Sequence, residues 1–442
     1  MYKKKKLTAA QIIILGFLVV VIVGTTLLCM PFSSSSGKFT GFTDALFTAV
    51  SATCVTGLAV RTTAEYWSVF GQIVILLLIQ VGGLGFMTFV TLIIFFIRRH
   101  LGLFDRKIFM QSAGIPNLGS VFVLFRRILI GTLIAETVGA ILLCFAFVPE
   151  YGWAGGIYNA VFHSVSAFCN AGFDIIGGLS LAPYRNDALV ILTVSALIVV
   201  GGLGFIVWSN VLDAKFRYKR FNLHTKIVLI ATLVLIVIPT ALFLVFDWNG
   251  SLKDLPFWEK LLAAFFQAVT PRTAGFYSVD PATMSDSSYV LTVILMFIGG
   301  NSGSTAGGIK TTTLVVILFS VYAEVRKSDR IIIGRRKLPA GDAKTASAVL
   351  SLYALLIFFS TMIICAAEPS IPLKSVFFET VSAICTVGLS MGVTAEFSVI
   401  SKLIITVLMF VGRVGSVSVA LALGEKKDVP PVELPTEKIM IG

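Results

Sequence analysis

Long apolar runs alternate along this chain with short apolar runs that end on a glycine turn, and the order recurs four times. The first long run, Ile12 to Met30, stops at Pro31. It is long enough to cross the hydrocarbon core of a bilayer, which takes about 20 residues. The next apolar stretch, Asp44 to Thr53, is about half that length, so it must enter and leave on the same side. A second long run, Val69 to Ile97, ends in Arg98, Arg99 and His100. One unit therefore reads helix, re-entrant half-helix with a glycine turn, helix.

The same grammar returns with Ile128 to Val148, Ile157 to Phe168 and Ala188 to Leu212. It returns again with Ile227 to Phe246, Phe257 to Thr270 and Tyr289 to Tyr322, and finally with Ala346 to Ala367, Leu373 to Ile384 and Val399 to Leu423. The turns share a phrase, clearest in Phe47 through Ser51, Ala52, Thr53, Cys54, Val55, Thr56 and Gly57 to Leu58. Each copy has Phe ten residues before its glycine (Phe47, Phe162, Phe265, Phe378), and three of the four have Ser six before and Cys three before. The glycines Gly57, Gly172, Gly275 and Gly388 stand roughly 100 to 115 residues apart, too far for a solenoid repeat. The expected fold is an all-α polytopic membrane protein of eight spans and four re-entrant pore helices, with pseudo-fourfold symmetry around one pore. Its units are 1–100, 101–213 with a linker, 214–323 with a broken helix and 324–424, followed by a polar tail, 425–442.

Composition agrees. The chain is 57% hydrophobic and 13% charged, where ordinary soluble domains carry about 25% charge, and its mean hydropathy is +0.94. The N-terminal run is too long for a signal peptide and lacks a small-residue cleavage site, so it reads as a retained helix with Lys3 to Lys6 on the cytoplasmic side. Eight spans put both termini there. About 25 of the 35 Lys and Arg residues fall on the N-terminus, the three linkers and the tail, as the positive-inside rule requires. The net charge of +12 is mostly this bias, with attraction to membrane lipids as a by-product. No basic patch interleaves with exposed aromatics, so no nucleic acid is expected. The six cysteines show no metal-ligand spacing and read as small packing residues.

Irregular backbone at membrane depth is tolerated only where it lines water or is buried in protein. Four turns about one axis would aim four sets of carbonyls inward, and such a ring can replace the hydration shell of a monovalent cation. In the second helices, Gly82-Gly83-Leu84-Gly85-Phe86 and Gly201-Gly202-Leu203-Gly204-Phe205 align with Gly299-Gly300-Asn301-Ser302 and Gly412-Arg413-Val414-Gly415. For the first two copies close helix packing stands at least level with a functional role. The third, Ile298 to Lys310, must break its helix. Arg413 costs about 2.5 to 3.5 kcal/mol at a helix centre, so it should face the interior, either towards the axis or paired with Glu379. Arg272 is expected to be a scaffold cation paired with Glu379 or Asp280, because a cation among the filter carbonyls would repel the ion. His163 is expected to be a hydrogen-bonded pore-helix residue.

With Ser-Ala-Thr-Cys-Val-Thr-Gly-Leu at 51–58, Asn-Ala-Gly-Phe at 170–173, Thr-Pro-Arg-Thr-Ala-Gly-Phe at 270–276 and Thr-Val-Gly-Leu at 386–389, the chain resembles the Trk/Ktr/HKT superfamily of cation transporters. Within it the sequence looks most like the bacterial Ktr membrane subunits (KtrB-like). The resemblance implies a K+ selectivity filter at Thr56, Gly57, Ala171, Gly172, Ala274, Gly275, Val387 and Gly388, with K+ held by backbone carbonyls. A serine in the first turn marks the sodium-preferring members, so Gly57 implies K+ preference. The resemblance also implies a gate loop of Gly299, Gly300, Asn301, Ser302, Gly303, Ser304, Thr305, Ala306, Gly307, Gly308 and Lys310, and a pore constriction at Arg413. It further implies passive or Na+-dependent K+ uptake, a bacterial plasma-membrane location, a homodimer to which the C-terminal tail contributes, and a cytosolic RCK/KTN-type ring that carries the nucleotide. An alternating-access carrier would show two inverted halves rather than four direct repeats. A membrane enzyme would need a catalytic constellation, and His100, His163 and His224 have none beside them.

Overall fold

The computed structural model describes residues 9–85, 121–328, 330–334 and 336–415. Lys3 to Lys6, Arg98 to His100, the remainder of 86–120 and the tail lie outside the described residues. The first unit comprises α1 (Ala9–Cys29), α2 (Phe42–Thr53) and α3 (Val69–Leu84). The second comprises α4 (Val121–Phe168), α5 (Ala188–Leu203) and α6 (Phe205–Asp213). In the third, α7 (Leu223–Asp247) and α8 (Phe257–Val269) precede α9 (Asp286–Phe297) and α10 (Thr311–Val325). A two-residue antiparallel ladder, β1 (Ile332–Ile333) with β2 (Arg336–Lys337), leads to α11 (Ala340–Ala367), α12 (Leu373–Ile384) and α13 (Val399–Val414).

Hydrophobicity sorts these helices. Among the described residues four are long and apolar enough to cross a membrane, Gln11–Cys29, Val123–Phe168, Leu223–Asp247 and Gly341–Ala367, and they open the four units. Their outward side chains are bare, with Leu133 66%, Phe145 69% and Phe358 67% exposed. So much exposed apolar surface fits a lipid solvent. The half-helices lie inside this shell. Helix α2 has 12 residues, about 18 Å at 1.5 Å per residue, and its stretch from Phe47 to Thr53 is buried throughout. Phe47, Phe162 and Phe378 are fully buried, and Phe265 packs against the cluster that holds Phe162.

Local chemistry fixes the ends. Ser68, Asp187, Ser285 and Ser398 stand just before α3, α5, α9 and α13, and each side chain accepts a backbone N–H of the first turn. The second unit's long helix and half-helix are joined without a loop. Gly152, at φ 72° and ψ 175°, kinks α4, and Gly156 lies against the backbone of Val148, so the chain folds back on itself.

One expected helix is not continuous. Ala188 to Leu212 breaks at Gly204 (φ 95°), where α5 and α6 meet at 87°. The cause is tertiary: the Phe205 N–H is given to the Gly303 carbonyl at 2.8 Å, in the irregular segment of the third unit. The Tyr289 to Tyr322 helix breaks at 298–310, as its sequence requires.

Candidate functional site

Each turn has two left-handed residues. The glycines have φ of 92° (Gly57), 68° (Gly172), 83° (Gly275) and 91° (Gly388), and two residues earlier Val55, Asn170, Thr273 and Thr386 have φ of 56°, 59°, 69° and 50°. In the first, second and fourth units the earlier residue closes the half-helix. The next N–H returns to the helix: Thr56 to Ser51 O, Ala171 to Ser166 O and Val387 to Ser382 O, each 2.8 Å. That is the position which usually takes glycine. Strained backbone of this kind costs about 1–3 kcal/mol per residue and persists where the surroundings over-determine it.

The serine six residues before the glycine supplies part of that constraint. Ser51 Oγ donates to Leu58 O at 2.7 Å and Ser166 Oγ to Phe173 O at 2.7 Å, so the end of the half-helix holds the residue just past the turn. The Gly57 and Gly388 N–H groups donate to Ser51 Oγ and Ser382 Oγ, each at 3.1 Å. The third unit lacks the serine, but Thr270, five before its glycine, donates to Phe276 O instead.

The four turns close into a ring. A β-carbon on Gly172 would lie 2.7 Å from the Ala274 oxygen, and one on Gly275 would lie 2.6 Å from the Val387 oxygen. At Gly57 and Gly388 it would meet the Ala171 and Thr56 oxygens in the same way. The order is thus unit one to two, two to three, three to four and four back to one. Each glycine faces the carbonyl just before the next glycine, and all eight residues expected at a filter lie in this ring. No side chain fits at the four glycines without displacing a carbonyl.

The irregular segment 298–310 packs against turns two and four. Gly299 N–H donates to Ile309 O at 2.9 Å, and Thr311 Oγ1 donates to Gly299 O at 3.0 Å, closing its base. Asn301 donates to Gly202 O from both its backbone (3.1 Å) and its side chain (3.0 Å). Thr305 Oγ1 donates to Phe168 O at 3.1 Å and meets Asn170 Oδ1 at 3.3 Å, while Gly307 lies against Thr386 with no room for a side chain. Lys310 Nζ donates to Ala306 O at 2.7 Å. Arg413 completes the arrangement by donating to Thr305 O, Gly82 O and Gly83 O. One guanidinium thereby joins the fourth unit, the segment of the third and helix α3 of the first.

The carboxylate pairings considered for the two arginines do not form among the described residues. Glu379 accepts from Ser390 Oγ (2.5 Å), Thr394 Oγ1 (2.9 Å) and Met391 N–H (3.0 Å), so it pairs with neither Arg413 nor Arg272. Asp280 caps the Ala282 N–H. Arg272 is 5% exposed, and its Nε has no hydrogen-bond partner among the described residues. Charge matching suggested these acids, whereas for Arg413 the backbone offers closer acceptors. His163 is hydrogen-bonded as expected, with Nδ1 2.8 Å from Asn159 O.

Two features escaped the sequence reading. The glycines Gly85, Gly204 and Gly415 each end a second helix at positive φ, and their repeated place in the aligned motif was the available signal. Glu136 lies buried between units, where Gln80 Nε2 donates to its carboxylate at 3.0 Å, and Gln80 Oε1 is in turn 3.6 Å from Cys169 Sγ. A lone carboxylate inside the apolar run 128–148 was itself a sign of an interior role. In the first two copies Gly82 and Gly201 press on the carbonyls of Thr53 and Phe168, the close packing weighed for them, and Gly412 presses in the same way on Ile384.

A helical membrane shell around a ring of four inward turns defines a membrane transport architecture. The TrkH family, described as cation transport protein, matches residues 2–428, and the chain belongs to it. The potassium/sodium uptake protein NtpJ of Enterococcus hirae is 41% identical, over 99% of this chain and 98% of its own length. The Ktr system potassium uptake protein B of Bacillus subtilis is 40% identical over 99% and 97%, and that of Vibrio alginolyticus 34% over 98% and 94%. The crystal structure of the potassium transporter TrkH from Vibrio parahaemolyticus shares the fold, with a TM-score of 0.75 over 96% of this chain and 86% of the other, at 18% identity.

Proposed function

We propose that this chain is the ion-translocating subunit of a Ktr-type K+ uptake system in the bacterial plasma membrane. The observation that carries the reading is the closed ring, in which Gly57, Gly172, Gly275 and Gly388 each face the next unit's carbonyl. Carbonyls of Thr56, Gly57, Ala171, Gly172, Ala274, Gly275, Val387 and Gly388 would strip and replace the hydration shell of K+. The chain itself supplies no catalysis; transport is the work of position and charge.

The segment from Gly299 to Lys310, with Arg413, is the gate. A monovalent cation about 4 Å from the guanidinium meets about 4 kcal/mol of repulsion at an effective dielectric near 20, enough to stop conduction while Arg413 stays in place. The gate is held by a handful of hydrogen bonds at about 0.5–1.5 kcal/mol each, more for those from the arginine, so a regulatory partner can open it with ordinary binding energy.

In the full reading, eight spans carry four re-entrant pore helices, both termini are cytoplasmic, the protein is a homodimer, and a cytosolic RCK/KTN-type ring binds the nucleotide. Na+ enters as a second ion or an activator, in keeping with the name of the Enterococcus relative. The test is K+ and Na+ uptake by a bacterium lacking its own K+ transport, with and without a co-expressed regulatory subunit. Selective K+ uptake that rises with the second subunit is expected. Uptake of neither ion, with both proteins present in the membrane, overturns the proposal.

A further inference from the structure

The ring is fourfold, but its support is not. Nine residues before the turn glycine, the second and fourth half-helices carry fully buried polar side chains, His163 and Glu379. Each reaches the backbone three residues past its glycine. The Ile175 N–H donates to His163 Nε2 at 3.4 Å, and the Met391 N–H donates to Glu379 Oε1 at 3.0 Å. His163 Nδ1 faces the Asn159 carbonyl at 2.8 Å, which places the proton on Nδ1 and leaves Nε2 as the acceptor. Glu379 takes two further hydroxyl donors, Ser390 and Thr394, from the same exit segment.

The other two units do without this device. Thr48, at the equivalent place in the first, returns its hydroxyl to Asp44 O in its own helix, and the third has the apolar Phe266. Their exits are held from elsewhere. Arg61, four past Gly57, pairs with Asp44 at 3.0 Å, and Tyr277, two past Gly275, is tied to the second unit's exit loop through Leu181 N–H (3.0 Å) and Gly178 O (2.9 Å). Since the ring runs one, two, three, four, the two internally clamped turns stand opposite each other.

We propose that His163 and Glu379 are positioning residues that set cation selectivity by fixing the outer ends of turns two and four. On the size-fit account, a ring of carbonyls discriminates between K+ and Na+ only while its radius is held, and Na+ gains when carbonyls can move inward. The far ends of turns one to three are tied by a Ser or Thr hydroxyl at one residue past the glycine, Ser382 Oγ holds the Gly388 N–H in turn four, and turns two and four are tied again by the clamp at three past. Releasing the clamp leaves a strained turn, with left-handed Asn170 or Thr386 in it, free to relax.

This rests on the filter reading, and one assay separates the two. Full-length protein in liposomes is measured for relative K+ and Na+ permeability from zero-current potentials, with monodispersity and thermal unfolding as fold controls. Glu379→Leu and His163→Leu should each lower the K+/Na+ ratio by about fivefold or more, while Glu379→Gln, which keeps an acceptor for Met391, should stay within about twofold of the parent. Glu379→Asp, which keeps the carboxyl but withdraws it by a methylene, covers the case in which the leucine variants do not fold, and should fall between. If Gly388→Ser changes the ratio and these variants do not, the clamp is refuted and the filter stands. If Gly388→Ser also leaves the ratio unchanged, the filter reading fails first.

Discussion

At the turn glycines, space and conformation make the same demand. Gly57 has φ 92°, and a β-carbon there would overlap the Ala171 carbonyl of the next unit. Gly57→Ser therefore strains the backbone and pushes on an oxygen that faces the proposed ion path. Reversal potentials in mixed ions should show K+/Na+ discrimination reduced about tenfold, equivalent to about 1.4 kcal/mol. A side-chain substitution tests the hydroxyl ties differently. Ser166→Ala removes the buried donor to Phe173 O and should lower stability by about 1–3 kcal/mol, read as an earlier thermal unfolding transition in detergent. Ser166→Thr, which keeps a hydroxyl, should recover part of the loss.

At the scale of elements, the break 298–310 is where the chain departs from regular structure to place backbone against its own turns. Its contacts with Asn170 couple it to the second unit and those with Thr386 and Arg413 to the fourth, so shortening it should release both together. Deleting residues within Gly303 to Gly308 should raise K+ flux without the regulatory subunit, and equal flux in a folded variant would remove the gate assignment. A second element-scale prediction concerns the join of α11 to α13. Glu368 accepts from Ser398 N–H and Ser401 Oγ, each at 2.7 Å, and these bonds hold its carboxyl below the usual range. The contribution is fully present above the unfolded carboxylate value of about 4.3 and is lost as pH falls through the depressed folded value. Thermal unfolding of Glu368→Gln and parent protein should thus differ at neutral pH and converge in that acidic window.

For the whole molecule, the four unit-opening helices form an apolar shell, and the polar and strained backbone lies within it. In the proposed topology the charge bias sets orientation. With the native cysteines, all free among the described residues, replaced by serine or alanine, single cysteines at Lys38 or Arg185 should react with a membrane-impermeant reagent from outside the cell. Cysteines at Tyr218 or Lys337 should react only after the cytoplasmic face is opened. Labelling on the reverse sides would overturn the assigned topology.

The sequence alone determined the repeat, the helical periods and the membrane solvent, because these follow from local hydrophobicity and from turn residues that recur in register. The half-helix Leu373–Ile384 was legible to the residue, and so was the need for a break after Ile298, since Gly-Gly-Asn-Ser-Gly cannot continue an apolar helix. Only the tertiary structure decided the partners. Arg413 chose carbonyls over Glu379, Glu379 turned to its own exit loop, and α5 ended at Gly204 to accommodate a segment about 100 residues further on. Charge matching in a sequence cannot foresee this. At membrane depth every freed backbone carbonyl and N–H needs a partner, and which one lies within 3 Å depends on how four units pack around an axis.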